Sequence, residues 1–362
     1  MKDVKPDDML ATVFSSLFKS AGVDPSTVDD IFVGNVLMPG SGHIPARMAA
    51  LSAGIPERVP LATVNRQCSS GIQAIANAAA SLKAGYAEVA IGAGFESMSH
   101  FDMMGSVNMD AIGEKAMEND AARDCLTPMG MTSENVAEEF GVSRREQDRA
   151  AYLSHQRADK AKKSRAFDGE IVPVQTEDGV VTEDDGVRPS VTEEKLSRLP
   201  TVFKEDGTTT AGNASQVSDG AAAALLMTRR KAKELGVKPI GRFVDYVVAG
   251  VPPRIMGIGP AVAIPKLLAR NGMKVEDIDV FEINEAFASQ YVYCLRKLGI
   301  SVESDKVNPN GGAIALGHPL GCTGARQLAT LLNTLKKRGG KYGVISMCIG
   351  TGMGAAALIQ AE

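Results

Sequence analysis

An α/β fold made of two similar halves is the architecture the sequence predicts, and three observations predict it. Short apolar runs alternate with helix-period stretches, the arrangement that covers a sheet with helices. Three segments of the first third recur, in the same order, in the last third. Between them lies a stretch of different character, residues 98–216.

In "DDMLATVFSSLFKSAG", Met9, Leu10, Val13, Phe14, Leu17 and Phe18 share one helical stripe. "VDDIFVGNVL" reads as a buried strand. "VPLATVNRQ" then leads into an Ala-rich helix starting at Cys68, and "AEVAIGAGFESMS" is a strand running into a Gly-rich turn. Strands spaced by helices predict a parallel sheet. The 98–216 stretch is first Met-rich, then charged, then acidic and irregular, and reads as an insertion of helices with a covering loop. Its basic face (Lys160, Lys162, Lys163, Arg165) could meet a phosphate, although a solvated helix face is the commoner fate.

The pattern then repeats. "STVDDIFVGNV" (26–36) is echoed by "MKVEDIDVFEIN" (273–284), "CSSGIQAIANAAASLKAG" by "GCTGARQLATLLNTLKKRG", and "AEVAIGAGFES" by "YGVISMCIGTG". A duplicated unit follows, with domains over 1–230 and 237–362 and the insertion inside the first. Ligands bind outside the carboxyl ends of parallel strands, so the active site is expected where the halves meet. The late stretch "GVISMCIGTGMGAAALIQA" carries four glycines and reads as strand, turn, strand rather than a lipid-embedded helix.

Composition narrows the function. A net charge of −4, no Trp and 5% aromatics argue against nucleic-acid binding and against an acidic membrane surface. The five cysteines are scattered with no CxxC pair, which disfavours zinc and a secreted disulfide framework and points to free thiols in a reducing compartment. "MKDVKPDDML" is not a signal peptide, and "QAE" is not a peroxisomal tripeptide.

One cysteine is placed for chemistry. Cys68 stands at a predicted helix N-terminus, where free N–H groups and the helix dipole ease ionisation, with Gln67, Ser69, Ser70 and Gly71 leaving room for a bulky group. A buried structural thiol is the commoner fate of a lone Cys, and position 68 alone leaves both readings open. The second half adds His318 in the Gly-dense loop "GGAIALGHPLGCTGARQ". It also adds Cys348 at a strand end followed by Gly350, Gly352 and Gly354, and Asn284 at the end of "FEIN".

On the segments "VNRQCSSG", "ARDCLTPMGMTSENVAEEF", "TTAGNASQVSDGAAA", "NEAFASQ", "GGAIALGHPLGCTGARQ" and "SMCIGTGMGAAA", the chain resembles the thiolases, most of all the peroxisomal type of 3-ketoacyl-CoA thiolase. The resemblance implies a layered αβαβα core of two repeated halves with an inserted loop domain. It implies thiolysis of 3-ketoacyl-CoA by CoA, with no metal or redox cofactor, by a homodimer located in the peroxisome, although the sequence shows no targeting signal and a cytoplasmic location stays open. It implies Cys68 as the nucleophile, His318 as its base and a donor to the thioester oxygen, and Asn284 as holder of a second donor, a water. Cys348 becomes the general acid and base, and the N–H groups of Cys68 and Gly350 the hole for the tetrahedral intermediate. Arg188 and Ser215 are implied for CoA, Phe203, Ala211 and Phe287 for apolar walls, and Met129 for the floor near the acyl group. Cys125, at the start of the insertion, is expected either to pack inertly or to reach Cys68 as a redox partner.

The sequence departs from the family in two places. Pro128 stands where many short-chain thiolases have a His, which implies a different acyl pocket. The strand that opens the family fold has no counterpart before "KPDDML"; placed in the middle of the first sheet, its absence would leave two neighbours unpaired and the chain poorly folded or inactive. Two other functions are weighed. A condensing ketoacyl synthase would show two histidines beside its nucleophile, and a silent truncated subunit would act only by binding intact thiolase.

Overall fold

The structure is a computed structural model that describes residues 1–103 and 107–362; residues 104–106 of the insertion lie outside the described residues. The first repeat runs α1 (Pro6–Ala21), β1 (Asp30–Gly34), α2 (His43–Ser52), β2 (Leu61–Val64), α3 (Ser70–Ala84) and β3 (Val89–Ser97). The insertion brings α4 (Glu114–Glu118), α5 (Asp120–Arg123), α6 (Met129–Phe140), α7 (Arg144–Lys163), the ribbon β4 (Val174–Thr176) and β5 (Gly179–Val181), and α8 (Glu193–Ser197). Strand β6 (Asp219–Met227) then returns to the first sheet, and α9 (Arg229–Glu234) leads out of it. The second repeat runs β7 (Gly241–Gly250), α10 (Gly259–Arg270), β8 (Val280–Ile283), α11 (Ala288–Leu298), α12 (Ala313–Leu316), α13 (Thr323–Arg338), β9 (Tyr342–Ile349) and β10 (Met353–Ala361).

The two large sheets have the orders β2-β1-β3-β6 and β7-β10-β9-β8. They are mixed, not parallel as expected. β6 runs antiparallel to β3, and β10 runs antiparallel to both β9 and β7. Only three residues separate β9 from β10, far too few for the crossover that a parallel neighbour needs. A central opening strand is also corrected. Among the described residues β7, which opens the second repeat, is an edge strand bonded only to β10, so its counterpart position in the first sheet is the outer edge of β6. Strands β2, β1, β3 and β6 pair without a gap.

Five layers result. α1 packs on α2, β3 and β6 outside the first sheet, α3 and α13 lie side by side between the sheets, and α10 with its neighbour α11 covers the second sheet. Helix α1 starts on Pro6 and stops at Gly22, whose φ of +64° suits a residue without Cβ. Of its stripe, Met9, Leu10, Phe14 and Phe18 are buried, while Val13 and Leu17 sit half-buried at the rim. Ile31, Val33, Ile91 and Phe95 complete that outer core, and Ile72, Ile75, Leu331, Ile345 and Met347 fill the central layer. Burial of each such side chain is worth about 1.5–3 kcal/mol.

The repeat extends to single hydrogen bonds. Asp29 Oδ2 accepts from the N–H groups of Glu88 and Val89, and Asp279 Oδ2 accepts from those of Lys341 and Tyr342. Each aspartate therefore ties the strand that follows it to the start of the strand beside it. At the seam the halves touch backbone to backbone. A Cβ on Gly94 would stand 2.0 Å from the Gly321 carbonyl oxygen, and one on Gly71 would stand 2.7 Å from it. That contact draws the loop carrying His318 against the carboxyl ends of the first sheet. Among the described residues, no helix is long and apolar enough to cross a membrane.

Candidate active site

Cys68 sits in a tight turn between β2 and α3. Asn65 Oδ1 accepts from the Gln67 N–H at 2.9 Å. Ser70 Oγ accepts from the Arg66 N–H at 2.8 Å and donates to the Gln67 carbonyl at 2.7 Å. These bonds hold Gln67 at φ +47°, in the left-handed region that a residue with a Cβ enters at a cost. The helix begins at Ser70, two residues later than expected, so Cys68 precedes it. The Gly350 N–H and its own N–H favour the Cys68 thiolate, but burial outweighs them and pushes the thiol up to about 11. The expected easy ionisation is thus corrected: at rest Cys68 is a thiol, 8% exposed.

Cys348 arrives from the other half, at the end of β9. It is fully buried beside Met256 and Ala286, with Met129 and Phe287 packed against the cluster. Its thiol is raised well above the usual range, chiefly by burial and next by the charge of Cys68, which puts the two sulfurs in one electrostatic neighbourhood. Cys348 Sγ donates to Gln290 Oε1 at 2.9 Å. The β9–β10 turn that follows holds Thr351 and Gly352 at φ +67° and +91°. A Cβ on Gly350 would lie 3.6 Å from Met129 Sδ and 3.7 Å from Gln67, so the turn faces both the Cys68 loop and the insertion.

His318 follows Gly317, whose φ of +91° turns the chain after α12. Its N–H donates to Ser218 Oγ at 3.1 Å. The Thr323 hydroxyl donates to the Pro319 carbonyl at 3.0 Å, so its lone pairs are left to receive His318 Nδ1–H at 2.7 Å. Nε2 is then the unprotonated nitrogen, with Asn284 Nδ2 donating to it at 3.2 Å. Burial, and then the Arg326 charge, lowers His318 to about 3, so the ring is neutral at rest. Among the described residues Asn284 Oδ1 has no hydrogen-bond partner, which leaves a buried acceptor suited to a water.

Beneath both loops lies Glu96, at the end of β3. Its carboxylate accepts from Asn35 Nδ2 and from the N–H groups of Val36, Leu37 and Gly321. Val36 and Leu37 share an apolar cluster with Cys68 and Leu320, so one carboxylate braces the nucleophile side and the His318 side together. Glu96, Thr323 and Gln290 were not singled out in the sequence, because nothing local to any of them names its partner.

The remaining residues surround this centre unevenly. The Ser215 N–H donates to the Ala286 carbonyl, and Ala214 pairs with Phe287, which lays the "GNASQ" segment along the Asn284 loop. Phe203 stacks edge-on against Phe287 at 6.4 Å and lies over Gly130, where any Cβ would overlap its ring. Ala211 is exposed on the turn after Thr210. Arg188 stands on an exposed loop, and its N–H donates to His155 Nδ1 at 3.2 Å. That loop joins the centre through Gln216, whose Nε2 donates to the Gly186 carbonyl and whose own carbonyl accepts from the His318 N–H. Cys125 is a free, half-buried thiol with Sγ 3.9 Å from the Thr351 carbonyl oxygen, one residue beyond Gly350. On the basic face, Lys162 pairs with Glu183, Lys163 with Asp159 and Arg165 with Asp168, which favours the solvated-face reading. Among the described residues, no group of three His, Cys, Asp or Glu side chains is placed to hold a metal ion.

The family model "Thiolase, N-terminal domain" matches residues 1–230, and "Thiolase, C-terminal domain" matches 237–361. Over 369 residues the chain is 56% identical to "3-ketoacyl-CoA thiolase A, peroxisomal" of Mus musculus, covering 99% of this chain and 86% of that one. The dimeric peroxisomal thiolase of Saccharomyces cerevisiae superposes with a TM-score of 0.93 at 48% identity, covering 100% of this chain and 92% of that one. Human mitochondrial 3-ketoacyl-CoA thiolase in complex with CoA superposes at 0.89 with 40% identity, covering 100% and 93%.

Proposed function

The chain belongs to the thiolase family, and from that premise we propose that it cleaves 3-ketoacyl-CoA with CoA to acetyl-CoA and a shortened acyl-CoA. What carries the reading is the approach of two sulfurs from opposite halves, Cys68 and Cys348, with the Gly350 N–H bonded to the Cys68 sulfur.

In this reading His318 Nε2 takes the Cys68 proton once substrate is bound, and the thiolate attacks the 3-keto carbon. The N–H groups of Cys68 and Gly350 hold the oxyanion so formed. A lost donor of this kind typically costs about 3–4 kcal/mol in the transition state. The C–C bond breaks as its electron pair moves towards the thioester carbonyl, whose oxygen receives Nε2–H of His318 and a water held by Asn284. Cys348 protonates the departing enolate carbon. It then takes the proton of incoming CoA, whose sulfur displaces Cys68 from the acyl group, and His318 returns its proton to the Cys68 sulfur.

Arg188 and Ser215 bind CoA, Phe203, Ala211 and Phe287 wall the cleft, and Met129 floors the acyl site. CoA and acyl-CoA are substrates, and the chemistry calls for no metal or redox cofactor. The active form is a homodimer: Ile44, Met48 and Leu51 form an exposed apolar stripe on α2, next to the open edge of β2. The yeast relative is described as dimeric. The compartment is the peroxisome, as in the names of the mouse and human relatives.

The test is mass spectrometry after mixing with a 3-ketoacyl-CoA in the absence of CoA. An acyl adduct on Cys68 that added CoA discharges is the expected result. A chain that leaves Cys68 unmodified and releases no acetyl-CoA would overturn the reading and favour a silent binding subunit.

A further inference from the structure

Gln290 is a buried amide that the steps above do not use. It lies in the first turn of α11, 1% exposed, directly against the general acid and base. Its Oε1 accepts from Cys348 Sγ at 2.9 Å, and its Nε2 donates to the Asn284 backbone carbonyl at 3.3 Å. A carbonyl oxygen can only accept, so the NH2 end is fixed towards Asn284 and the oxygen end towards the thiol. The side chain cannot drift: Gly257 approaches so closely that a Cβ there would stand 2.6 Å from Gln290 Cβ. Beside it the Ser289 hydroxyl bonds Ser133 Oγ at 2.7 Å, which fixes the start of the helix.

Resting on the thiolase reading, we propose that Gln290 is a positioning residue that aims the Cys348 S–H and links it to the backbone of the Asn284 loop. An oxygen acceptor favours the thiol over the thiolate. Cys348 is thereby held in the form that acts first as an acid. Its S–H bond breaks as the enolate carbon forms C–H, the electron pair stays on sulfur, and the unfavoured thiolate then draws a proton from the CoA thiol. The ionisable neighbours bearing on Cys348 are Cys68 across the cleft and Cys294 further along α11.

Two variants test this against the wild type. Gln290→Leu keeps the bulk and loses both bonds, and is expected to lower kcat about tenfold, the equivalent of one hydrogen bond, at every pH with KM little changed. Gln290→Glu reproduces both bonds only while its buried carboxyl is protonated. It is expected to approach wild-type kcat in acid and to lose activity as pH rises, along a limb that Gln290→Leu lacks. Wild-type kcat in a folded Gln290→Leu protein would overturn the inference. So would a Gln290→Glu pH profile that follows the wild-type or the Leu curve, a result available even if the Leu variant fails to fold. Wild-type protein that never acylates Cys68 would overturn the function reading and this inference with it; active wild type with unresponsive variants would overturn the inference alone.

Discussion

Glu96→Gln probes the brace under both catalytic loops, and the structure sets the size and sign of its effect. Burial raises Glu96 from the ordinary 4.5 to about 7, against the pull of the four donors around it. A carboxyl raised on folding binds its proton more tightly in the native state. Its contribution is therefore fully present below pH 4.5 and is lost as pH rises to about 7. At about 1.4 kcal/mol per pKa unit, the loss across that window is about 3 kcal/mol. The Gln variant does not titrate, but it turns an NH2 group towards N–H donors, a pH-independent cost of about 1–3 kcal/mol. Urea denaturation of both proteins between pH 4.5 and 8 gives the difference, in which the other titrating groups cancel. The variant should be the less stable protein in acid, and the gap should close by about 3 kcal/mol on the way to pH 8. A gap independent of pH would refute the reasoning, because Glu96 would then be ionised throughout.

Other expectations follow from the same coordinates. Thr323→Val removes the acceptor that fixes the His318 tautomer and should lower kcat about ten- to a hundredfold with a modest change in Tm; unchanged kcat refutes the tautomer assignment. Cys348→Ala should slow thiolysis by about 100- to 10,000-fold, measured as acetyl-CoA release, and a rate near wild type would remove it as acid and base. Gly94→Ala should cost about 3 kcal/mol or more, since its methyl meets the Gly321 carbonyl; a normal denaturation midpoint would contradict the seam. Peptide mapping after mild oxidation decides between the two readings of Cys125: a Cys68–Cys125 species that disappears in Cys125→Ser shows a redox partner, and mapping without it leaves Cys125 a packing thiol.

What the sequence made legible was whatever recurs or alternates. The repeat-related strands β1 and β8, the repeat-related helices α3 and α13 and the candidate nucleophile Cys68 stand out because their signals lie within a few consecutive residues. Strand direction does not: β6 reads like any apolar strand, and only its pairing with β3 reveals that it is antiparallel. The protonation state of Cys68 is hidden from the sequence for a similar reason. Helix position is local, but burial is set by Val36, Leu37 and Leu320, which come from distant parts of the chain. Gln290 and Thr323 were hidden in the same way, since a buried glutamine and a helix-starting threonine are ordinary until the partner of each is seen.

The glycine contact at the seam has one more consequence. With Gly321 wedged against Gly94 and Gly71, the halves have no cushion of side chains on which to slide or hinge. Adjustment of the space above Cys348 therefore falls to the interrupting segment between β3 and β6, whose Met129 packs against the Cys348 cluster and whose Phe203 lies against Phe287. Swapping that segment between relatives should alter which substrates enter without altering the machinery beneath.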